Sequence, residues 1–296
     1  MILSAPYLKK IQAVCLLIAA TFFWGVTFVT VKDAIGKVDV FVFLAQRFSA
    51  AFFILLIFQA VIRRPFTRRA FTCGLFLGLL LFGGFAFQTL ALRYTSASNT
   101  AFLTGLNVVL VPLFSAFFFR QPVRARVVTG AALAFAGLYL LCAGKGLSFN
   151  MGDVLGFICA IFIAVHILYT GKYAGICDTY WLTTVQIGLI GLLSFFIAQT
   201  TGHPVLNFYP GTATALVICV FFATIFAFLV QTTMQRYISA SGTALIFCLE
   251  PVFAALAAYV ISGERLGFKG LAGALCIFAG MVLSGFSPLG GRGKNK

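Results

Sequence analysis

The chain contains an internal repeat, and this repeat constrains its fold more than any other feature. The segment RYTSASNTA at 93–101 recurs as RYISASGTA at 236–244, with seven of nine positions identical at a constant offset of 143 residues. The same offset relates Gln88 to Gln231 and Gly130 to Gly273. Similarity of this length indicates a duplicated structural unit, and we place the two copies at 1–146 and 147–296.

Almost everything that the repeat covers is apolar enough to lie in a membrane. Of the 296 residues, 61% are hydrophobic and only 9% are charged, whereas soluble domains carry about 25% charged residues. Runs of about 20 apolar residues are long enough to cross the hydrocarbon core. Ten such runs are predicted as spans: 11–31, 40–62, 70–92, 99–119, 126–144, 151–171, 179–199, 212–235, 241–262 and 268–286.

We therefore predict an all-α integral membrane protein with ten transmembrane helices in two inverted-topology repeats of five helices. Because five is odd, the second repeat enters the membrane from the side opposite to the first, and a pseudo-two-fold axis lies in the membrane plane. Two halves related in this way can exchange inward-open and outward-open shapes around a site near the midplane. This architecture is typical of transporters.

The net charge of +15 is distributed in a way that favours a membrane orientation over a nucleic-acid partner. The side that holds both termini carries fourteen Lys and Arg residues, the other side carries six, and Arg47 lies inside a span. The positive-inside rule then predicts a multi-pass membrane protein with both termini in the cytoplasm. We expect a small-molecule substrate and membrane lipid as partners, and no nucleic acid.

The residues that usually bind metals or catalyse reactions are scarce and scattered. None of the eight cysteines forms a CxxC pair, and the six acidic residues form no paired motif. We predict no metal site, no cofactor and no disulfide framework. An integral membrane enzyme would need clustered acids, His or Cys, so we predict that the chain is not an enzyme.

Three ionisable residues lie deep within predicted spans, where a charge is costly and therefore indicates function. Glu250 lies near the middle of the ninth span and precedes Pro251, which interrupts helical hydrogen bonding. Its carboxyl could carry a proton, bind a cation, or only donate an interhelical hydrogen bond. Arg47 could bind a substrate carboxylate, pair with Glu250, or extend to the outer surface. His166 is either a hydrogen-bonded core residue or a ligand.

Four uncharged residues complete the predicted substrate-binding or cavity set. Gln88 and Gln231 are equivalent in the two repeats, and Asn107 is the counterpart of Glu250. Trp24 lies near the middle of the first span, away from the interfaces where Trp is common. The set is Trp24, Arg47, Gln88, Asn107, His166, Gln231 and Glu250.

Small residues predict close packing and helix starts. Gly130 and Gly137 recur as Gly273 and Gly280, so the fifth and tenth spans either pack on each other or form a dimer contact, and the protein is a monomer or a homodimer. The repeated Ser-Ala-Ser segments precede the fourth and ninth spans. Their predicted helix N-caps are Ser98 or Asn99, and Ser241.

The ordered set of motifs resembles the EamA-type branch of the drug/metabolite transporter superfamily over about residues 13–286. The residues that carry the resemblance are Trp24-Gly25, Arg47-Phe48, Glu250-Pro251, Gly263-Glu264, Gly273 and Gly280. The resemblance implies a ten-helix inner-membrane carrier with a central cavity built from both repeats. It also implies that the substrates are amino acids, nucleotide-like metabolites, sugars or drugs, frequently moved outward.

Our first hypothesis is a carrier that exports small metabolites, with amino acids as the leading class and with Glu250 taking part in proton coupling. The alternative of the same class is an uptake carrier for a vitamin or a nucleoside-like compound. A membrane enzyme is the third hypothesis, and the absence of a catalytic motif in the sequence argues against it.

Overall fold

The computed structural model describes residues 5–120, 122–142, 150–206, 209–262 and 267–283, and within them all regular structure is helical. Gly263-Glu264, which contributes to the family resemblance, lies outside the described residues. The helices are α1 (Ala5–Ile35), α2 (Val40–Ile62), α3 (Arg68–Tyr94), α4 (Ala97–Gly105), α5 (Asn107–Phe119), α6 (Ala125–Cys142), α7 (Met151–Ala174), α8 (Thr179–Thr200), α9 (Ala213–Ile218), α10 (Ala227–Met234), α11 (Ala240–Phe247), α12 (Glu250–Ser262) and α13 (Phe268–Leu283).

The helices account for the ten predicted spans in their predicted order. Eight helical segments are long and apolar enough to cross a membrane, and two shorter apolar helices lie at Ala125–Leu140 and Phe268–Leu283. The all-α fold with about ten membrane helices is therefore confirmed. The second span, at Val40–Ile62, has the predicted boundaries, and α1 extends beyond its predicted span at both ends.

Three of the ten spans are interrupted along their length. The fourth span consists of α4 and α5, which are separated at Leu106, and the ninth consists of α11 and α12, which are separated at Cys248 and Leu249. The eighth span joins α9 to α10 through a π-helical segment at Cys219–Phe226. Interruptions of this kind leave backbone groups without their usual helical partners, and π-helical segments occur frequently at functional sites.

The caps of the fourth and ninth spans lie two or three residues before the predicted ones. Ser96 is the N-cap of α4, with its Oγ accepting from the backbone N–H of Asn99 at 3.0 Å. Ser239 is the N-cap of α11, with its Oγ accepting from the backbone N–H of Gly242 at 3.2 Å. Ser96 and Ser239 are related by the 143-residue offset, so the two repeats start these helices identically.

The packing of the helices follows the repeat. The contacts of α2 with α8 and of α6 with α13 each join a helix to its own counterpart. The contact of α3 with α7 has its counterpart in the contact of α1 with α10, and α7 packs on α4 and α5 as α1 packs on α11 and α12. Reciprocal contacts of this kind are expected from an inverted repeat with a pseudo-two-fold axis.

Glycines allow close contact between α6 and α13. A Cβ atom added at Gly137 would lie 2.5 Å from the carbonyl oxygen of Gly273, and one added at Gly280 would lie 2.6 Å from that of Gly130. The four repeated glycines thus meet across one interface within the chain. Of the two expectations for these spans, packing on each other is the one that the structure shows.

Candidate functional site: a central cavity between the repeats

A central cavity is lined by side chains from both repeats. Its empty volume is about 660 Å³, including the open space at its mouth. All seven candidate site residues lie on its wall: Trp24, Arg47, Gln88, Asn107, His166, Gln231 and Glu250. Their role in substrate binding stays a prediction, but the structure brings them together around one space.

The two broken spans place Asn107 and Glu250 at this cavity. Asn107 is the first residue of α5 and Glu250 is the first residue of α12, and the two are related by the 143-residue offset. Because α11 packs on α5 and α12 packs on α4, the two broken spans cross each other within the bundle. Each therefore presents the start of a half-helix and one polar side chain to the cavity.

A glycine on α1 brings Trp24 against the start of α12. A Cβ atom at Gly25 would lie 2.6 Å from the carbonyl oxygen of Glu250, so any larger residue would push α1 away. The Trp24 indole Nε1 donates to the carbonyl oxygen of Ala223 at 2.8 Å. Its ring lies 5.3 Å from the ring of Phe228 and 5.0 Å from that of Phe247. Trp24 thus joins α1 to the interrupted eighth and ninth spans.

Arg47 is held inside the bundle by the π-helical segment and by aromatic rings. Its Nε donates to Thr224 Oγ1 at 2.8 Å, and its Nη2 donates to the Ala223 carbonyl oxygen at 3.2 Å. The guanidinium carbon lies 5.0 Å from the ring centroids of both Phe48 and Phe85. Because only 3% of Arg47 is exposed, the side chain does not extend to the outer surface.

Arg47 and Glu250 lie on the same cavity without forming an ion pair with each other. Arg47 bonds Thr224 and the Ala223 carbonyl, and no carboxylate of the described residues forms an ion pair with its guanidinium. A buried guanidinium with no counter-ion is unusual in a membrane span, where charges are normally paired or hydrated. The cavity therefore contains separated positive and acidic groups.

His166 is a hydrogen-bonded residue that also lines the cavity. Its Nε2 lies 2.9 Å from Gln186 Oε1 and 3.3 Å from Thr170 Oγ1. Gln186 Nε2 donates to Thr232 Oγ1 at 3.3 Å. His166, Gln186, Thr170 and Thr232 thus form one buried polar network. These hydrogen bonds are those of the predicted core residue, and a role of His166 as a ligand stays a prediction.

The equivalent glutamines occupy different polar surroundings in the two repeats. Gln88 Nε2 donates to Thr104 Oγ1 at 3.3 Å. Gln231 Nε2 donates to Gln235 Oε1 at 3.4 Å, and Gln235 in turn donates to the carbonyl oxygen of Ile167 at 2.6 Å. Each glutamine bonds a neighbour of its own repeat, and each keeps its place on the cavity wall.

Several residues of the cavity wall escaped the sequence analysis. Most are apolar or are threonines, which are too common in the spans to be selected by type. The signal that could have found some of them is helical spacing from a selected residue, since Thr27, Phe28 and Val31 follow Trp24 on one helix face. The further lining residues are Thr27, Phe28, Val31, Leu81, Phe85, Leu92, Thr104, Ile163, Phe228 and Phe247.

Within the described part of the chain, no group of three or more His, Cys, Asp or Glu residues is arranged to hold a metal ion. The seven cysteines whose side chains are described are free thiols. Cys177 lies in the turn between α7 and α8, where burial and the neighbouring Cys73 raise the pKa of its thiol to about 11. At neutral pH little of the Cys177 side chain is therefore in the thiolate form, and the thiolate is the form that binds metals.

Comparison with known proteins agrees with this architecture. The profile of the EamA-like transporter family matches the chain twice, at residues 11–143 and 150–286. An uncharacterized transporter of Archaeoglobus fulgidus is 32% identical over 283 residues, which cover 95% of this chain and 88% of the relative. A Salmonella typhimurium protein named probable amino-acid metabolite efflux pump is 25% identical over 280 residues, which cover 89% of this chain and 91% of the relative.

A solved crystal structure has the same fold. It superposes with a TM-score of 0.76 at 19% sequence identity and covers 94% of this chain and 97% of its own. The two family matches span nearly the whole chain. Together with the internal repeat and the cavity between its copies, they show that the protein is a multi-pass membrane transporter that belongs to the EamA-like transporter family.

Proposed function

We propose that this transporter is a secondary carrier of the inner membrane that exports amino acids or closely related small metabolites by alternating access. Both termini lie in the cytoplasm, as the charge distribution predicts. The substrate occupies the central cavity, where Trp24, Arg47, Gln88, Asn107, His166, Gln231 and Glu250 bind it or line its path.

The observation that carries this proposal is the Arg47 guanidinium, which lies on the cavity wall and has no carboxylate partner among the described residues. An arginine remains charged even when it is buried. A charge at this depth without a counter-ion destabilises the empty site, and a substrate carboxylate would offset that cost. Two hydrogen bonds, to Thr224 and to Ala223, hold the guanidinium at the cavity wall. An α-carboxylate is the simplest anionic group that fits this arrangement.

The rest of the cavity suits the remaining parts of an amino acid. Glu250 supplies an acidic group that can accept from an ammonium group, away from Arg47. The rings of Trp24, Phe228 and Phe247 form an apolar wall for a side chain. The Salmonella relative named as a probable amino-acid metabolite efflux pump supports the same class of substrate and the outward direction.

Thermal stability of the purified protein with a panel of metabolites tests this proposal. A ligand that binds only the folded protein stabilises it by about 2.7 kcal/mol at a concentration of 100 Kd. We expect amino acids to raise the melting temperature, and the corresponding amines without a carboxylate to raise it much less. A flat panel, or equal shifts from amino acids and amines, would contradict the assignment.

Matched variants at Arg47 connect the result to the cavity. Arg47→Gln removes the charge, whereas Arg47→Lys retains it without the bidentate geometry. We expect the glutamine variant to lose the difference between amino acids and amines, and the lysine variant to keep part of it. The measured quantity is the ligand-induced shift of each variant from its own melting temperature, because both substitutions also change the stability of the empty protein.

Transport direction requires a separate measurement in intact cells. Cells that overproduce the carrier should retain less of a labelled substrate than cells that do not overproduce it. Greater retention in the cells that overproduce the carrier would instead support the uptake alternative.

A further inference from the structure

Four aromatic rings form a continuous, partly exposed surface at one end of the bundle, where α3 begins and where α5 and α7 end. The ring centroid of Tyr169 lies 4.9 Å from that of Phe76 on α3 and 5.7 Å from that of Phe119 on α5. Tyr173, one turn further along α7, has its ring 5.7 Å from that of Tyr169. We name these four residues the Tyr169 patch. It spans three helices, of which α3 and α5 belong to the first repeat and α7 to the second.

Lys172 places a positive charge against the Tyr169 patch. Its Nζ lies 5.4 Å from the ring centroid of Phe119 and 5.7 Å from that of Tyr169, and both distances are within the range of cation–π attraction. Lys172 is exposed, and it forms no ion pair with the described residues. Its ammonium group is thus held in place by aromatic faces and remains able to bind an anion.

A second basic residue lies at the other edge of the Tyr169 patch. Arg69, in the first turn of α3, is exposed, and its guanidinium is close enough to the Cys177 thiol to act on it electrostatically. Tyr173 interacts with the same thiol. Arg69 therefore lies at the Tyr173 edge of the patch, whereas Lys172 lies at the Phe119 edge.

The Tyr169 patch lies at the boundary between the apolar spans and the membrane surface. Lys172 directly follows the predicted span 151–171, and Arg69 directly precedes the predicted span 70–92. Lys and Arg side chains at such positions extend toward the headgroups, and tyrosine rings are enriched at the same level. The patch is therefore at the depth of a phospholipid headgroup.

This end of the bundle is strongly basic. In the predicted topology it is the side that holds both termini, with fourteen Lys and Arg residues, and Asp178 is the only acidic side chain on that side. Asp178 already has a basic neighbour, since its Oδ2 lies 3.9 Å from Arg64 Nη1. The side chains of this end thus carry a large excess of positive charge, which an anionic partner complements.

The equivalent lysine at the other end of the bundle has different surroundings. Lys32 is related to Lys172 by an offset of 140 residues, and its Nζ donates to the Thr95 carbonyl oxygen at 2.8 Å. The position equivalent to Tyr173 is occupied by Asp33. Lys32 thus has a backbone acceptor and an acidic neighbour where Lys172 has aromatic rings, so the internal repeat does not by itself produce the arrangement at Lys172.

From these features we infer that the Tyr169 patch, together with Lys172 and Arg69, binds the headgroup of an anionic phospholipid. Basic residues near a membrane surface attract anionic lipids, and basic pockets between transmembrane helices bind their headgroups. The two cations bind the phosphate, and the tyrosine hydroxyls donate to headgroup oxygens. The acyl chains lie along Phe117 and Phe118 of α5, which are 77% and 50% exposed. Because the patch joins both repeats, the bound lipid also stabilises their packing.

Thermal stability of the full-length protein, freed of lipid in an uncharged detergent, tests this site. The probes are short-chain phosphatidylglycerol, short-chain phosphatidylcholine and inorganic phosphate, each titrated to give an apparent Kd. We expect phosphatidylglycerol to bind more tightly than the other two. Lys172→Gln should weaken its binding by roughly five-fold, because one basic residue at an anionic surface contributes about that factor. Arg69→Gln should weaken it to a similar extent.

Two further variants serve as matched controls. Lys32→Gln removes the equivalent lysine at the other end, with the same change in net charge, and should leave the binding of phosphatidylglycerol unchanged. Lys172→Arg keeps the charge at the patch and should retain most of the binding. Each shift is measured from the variant's own melting temperature, so a change in the stability of the lipid-free protein does not enter the comparison.

The lipid assignment is wrong if the unaltered protein binds both phospholipids equally, or if Lys172→Gln binds phosphatidylglycerol as the unaltered protein does. It is also wrong if Lys32→Gln weakens binding as much as Lys172→Gln. Inorganic phosphate that binds as tightly as phosphatidylglycerol would identify a site for small anions instead. No substrate is involved, so these outcomes are independent of the proposed amino-acid transport.

Discussion

The two broken spans of this transporter share their geometry but differ in their chemistry. In α4–α5, the N–H of Leu106 donates to the Leu103 carbonyl at 3.1 Å, and in α11–α12 the N–H of Leu249 donates to the Ile246 carbonyl at 3.0 Å. Each break is thus a tight turn of 3₁₀ type at the same place in its repeat. A new helix follows it and begins at the cavity.

The prolines show that the break does not depend on one residue type. Pro251 is the second residue of α12, a position in the first turn where no N–H is needed. The first repeat has its proline at Pro112, inside α5 and past the break. Leu106 interrupts the helix without an adjacent proline, and the residue before it is Gly105, which weakens helices.

The first residue after each break differs in chemistry between the two repeats. Asn107 is 1% exposed, and its Oδ1 has no hydrogen-bond donor in the described structure. Glu250 occupies the equivalent position with a group that can gain or lose a proton. A symmetric scaffold therefore carries one ionisable site of this kind, in the second repeat only.

The largest expected effect comes from removing this difference. If Glu250 carries the coupling proton, Glu250→Gln should abolish the stimulation of transport by a pH gradient. For coupling free energies of about 1–3 kcal/mol, the stimulation that is lost is on the order of 5- to 150-fold. Transport of a labelled amino acid in proteoliposomes, with and without the gradient, measures this effect. Asn107→Ala is the matched control, because it should lower transport while the stimulation remains.

A Glu250→Gln carrier that still responds to the gradient would remove the coupling hypothesis. The double variant with Glu250→Gln and Asn107→Asp sharpens the comparison, since it moves the carboxyl to the first repeat. Recovery of the pH response in the double variant is expected if the two positions are functionally equivalent.

A smaller and symmetric effect is expected at the α6–α13 interface. Gly137→Ala and Gly280→Ala each place a Cβ atom about 2.5 or 2.6 Å from a backbone carbonyl oxygen of the other repeat. Overpacking of this kind costs about 1–3 kcal/mol, and we expect similar losses from both, measured as thermal unfolding in detergent. Gly175→Ala is the control, because a Cβ there meets no atom within 4 Å. Unequal losses would show that the interface is not energetically symmetric.

The spans and the cavity residues could be predicted for one physical reason. Each span needs about 20 apolar residues, so a polar side chain within one stands out and must face a protected space. Arg47, His166 and Glu250 were identifiable on this basis. Asn107 was identifiable because the repeat places it opposite Glu250.

The interruptions were less accessible to prediction. The segment Cys219–Phe226 has an ordinary apolar sequence, and nothing in it indicates a π-helical backbone. Its Ala223 carbonyl accepts hydrogen bonds from Trp24 and Arg47, which are far away in the sequence. Contacts of this kind cannot be recognised from the segment alone.

The break at Leu106 follows Gly105, a residue type that weakens helices, but the sequence analysis did not use this signal. Residue type therefore predicted where the helices lie and, through Pro251, the interruption of the ninth span, but it did not predict the interruptions of the fourth and eighth spans.

The smallest expected effect concerns the repeated serines, where the sequence predicted the wrong caps. Ser, Asn and Thr all favour the N-cap position, so a run such as Ser-Ala-Ser-Asn-Thr contains several equally good candidates. Only the hydrogen bonds distinguish them: Ser96 and Ser239 accept from the N–H groups three residues ahead. Ser96→Ala and Ser239→Ala should each lower the free energy of unfolding by about 1 kcal/mol.

Ser98→Ala and Ser241→Ala provide matched controls, since they change the same residue type two positions later, inside the first turn of each helix. Thermal unfolding of the four single variants compares the pairs under one condition. Equal losses at Ser98 and Ser96 would favour the cap predicted from sequence. A loss of stability from Ser96→Ala without one from Ser239→Ala would mean that packing starts the broken span of the second repeat. The capping hydrogen bonds of the two repeats would then differ in energy although they share their geometry.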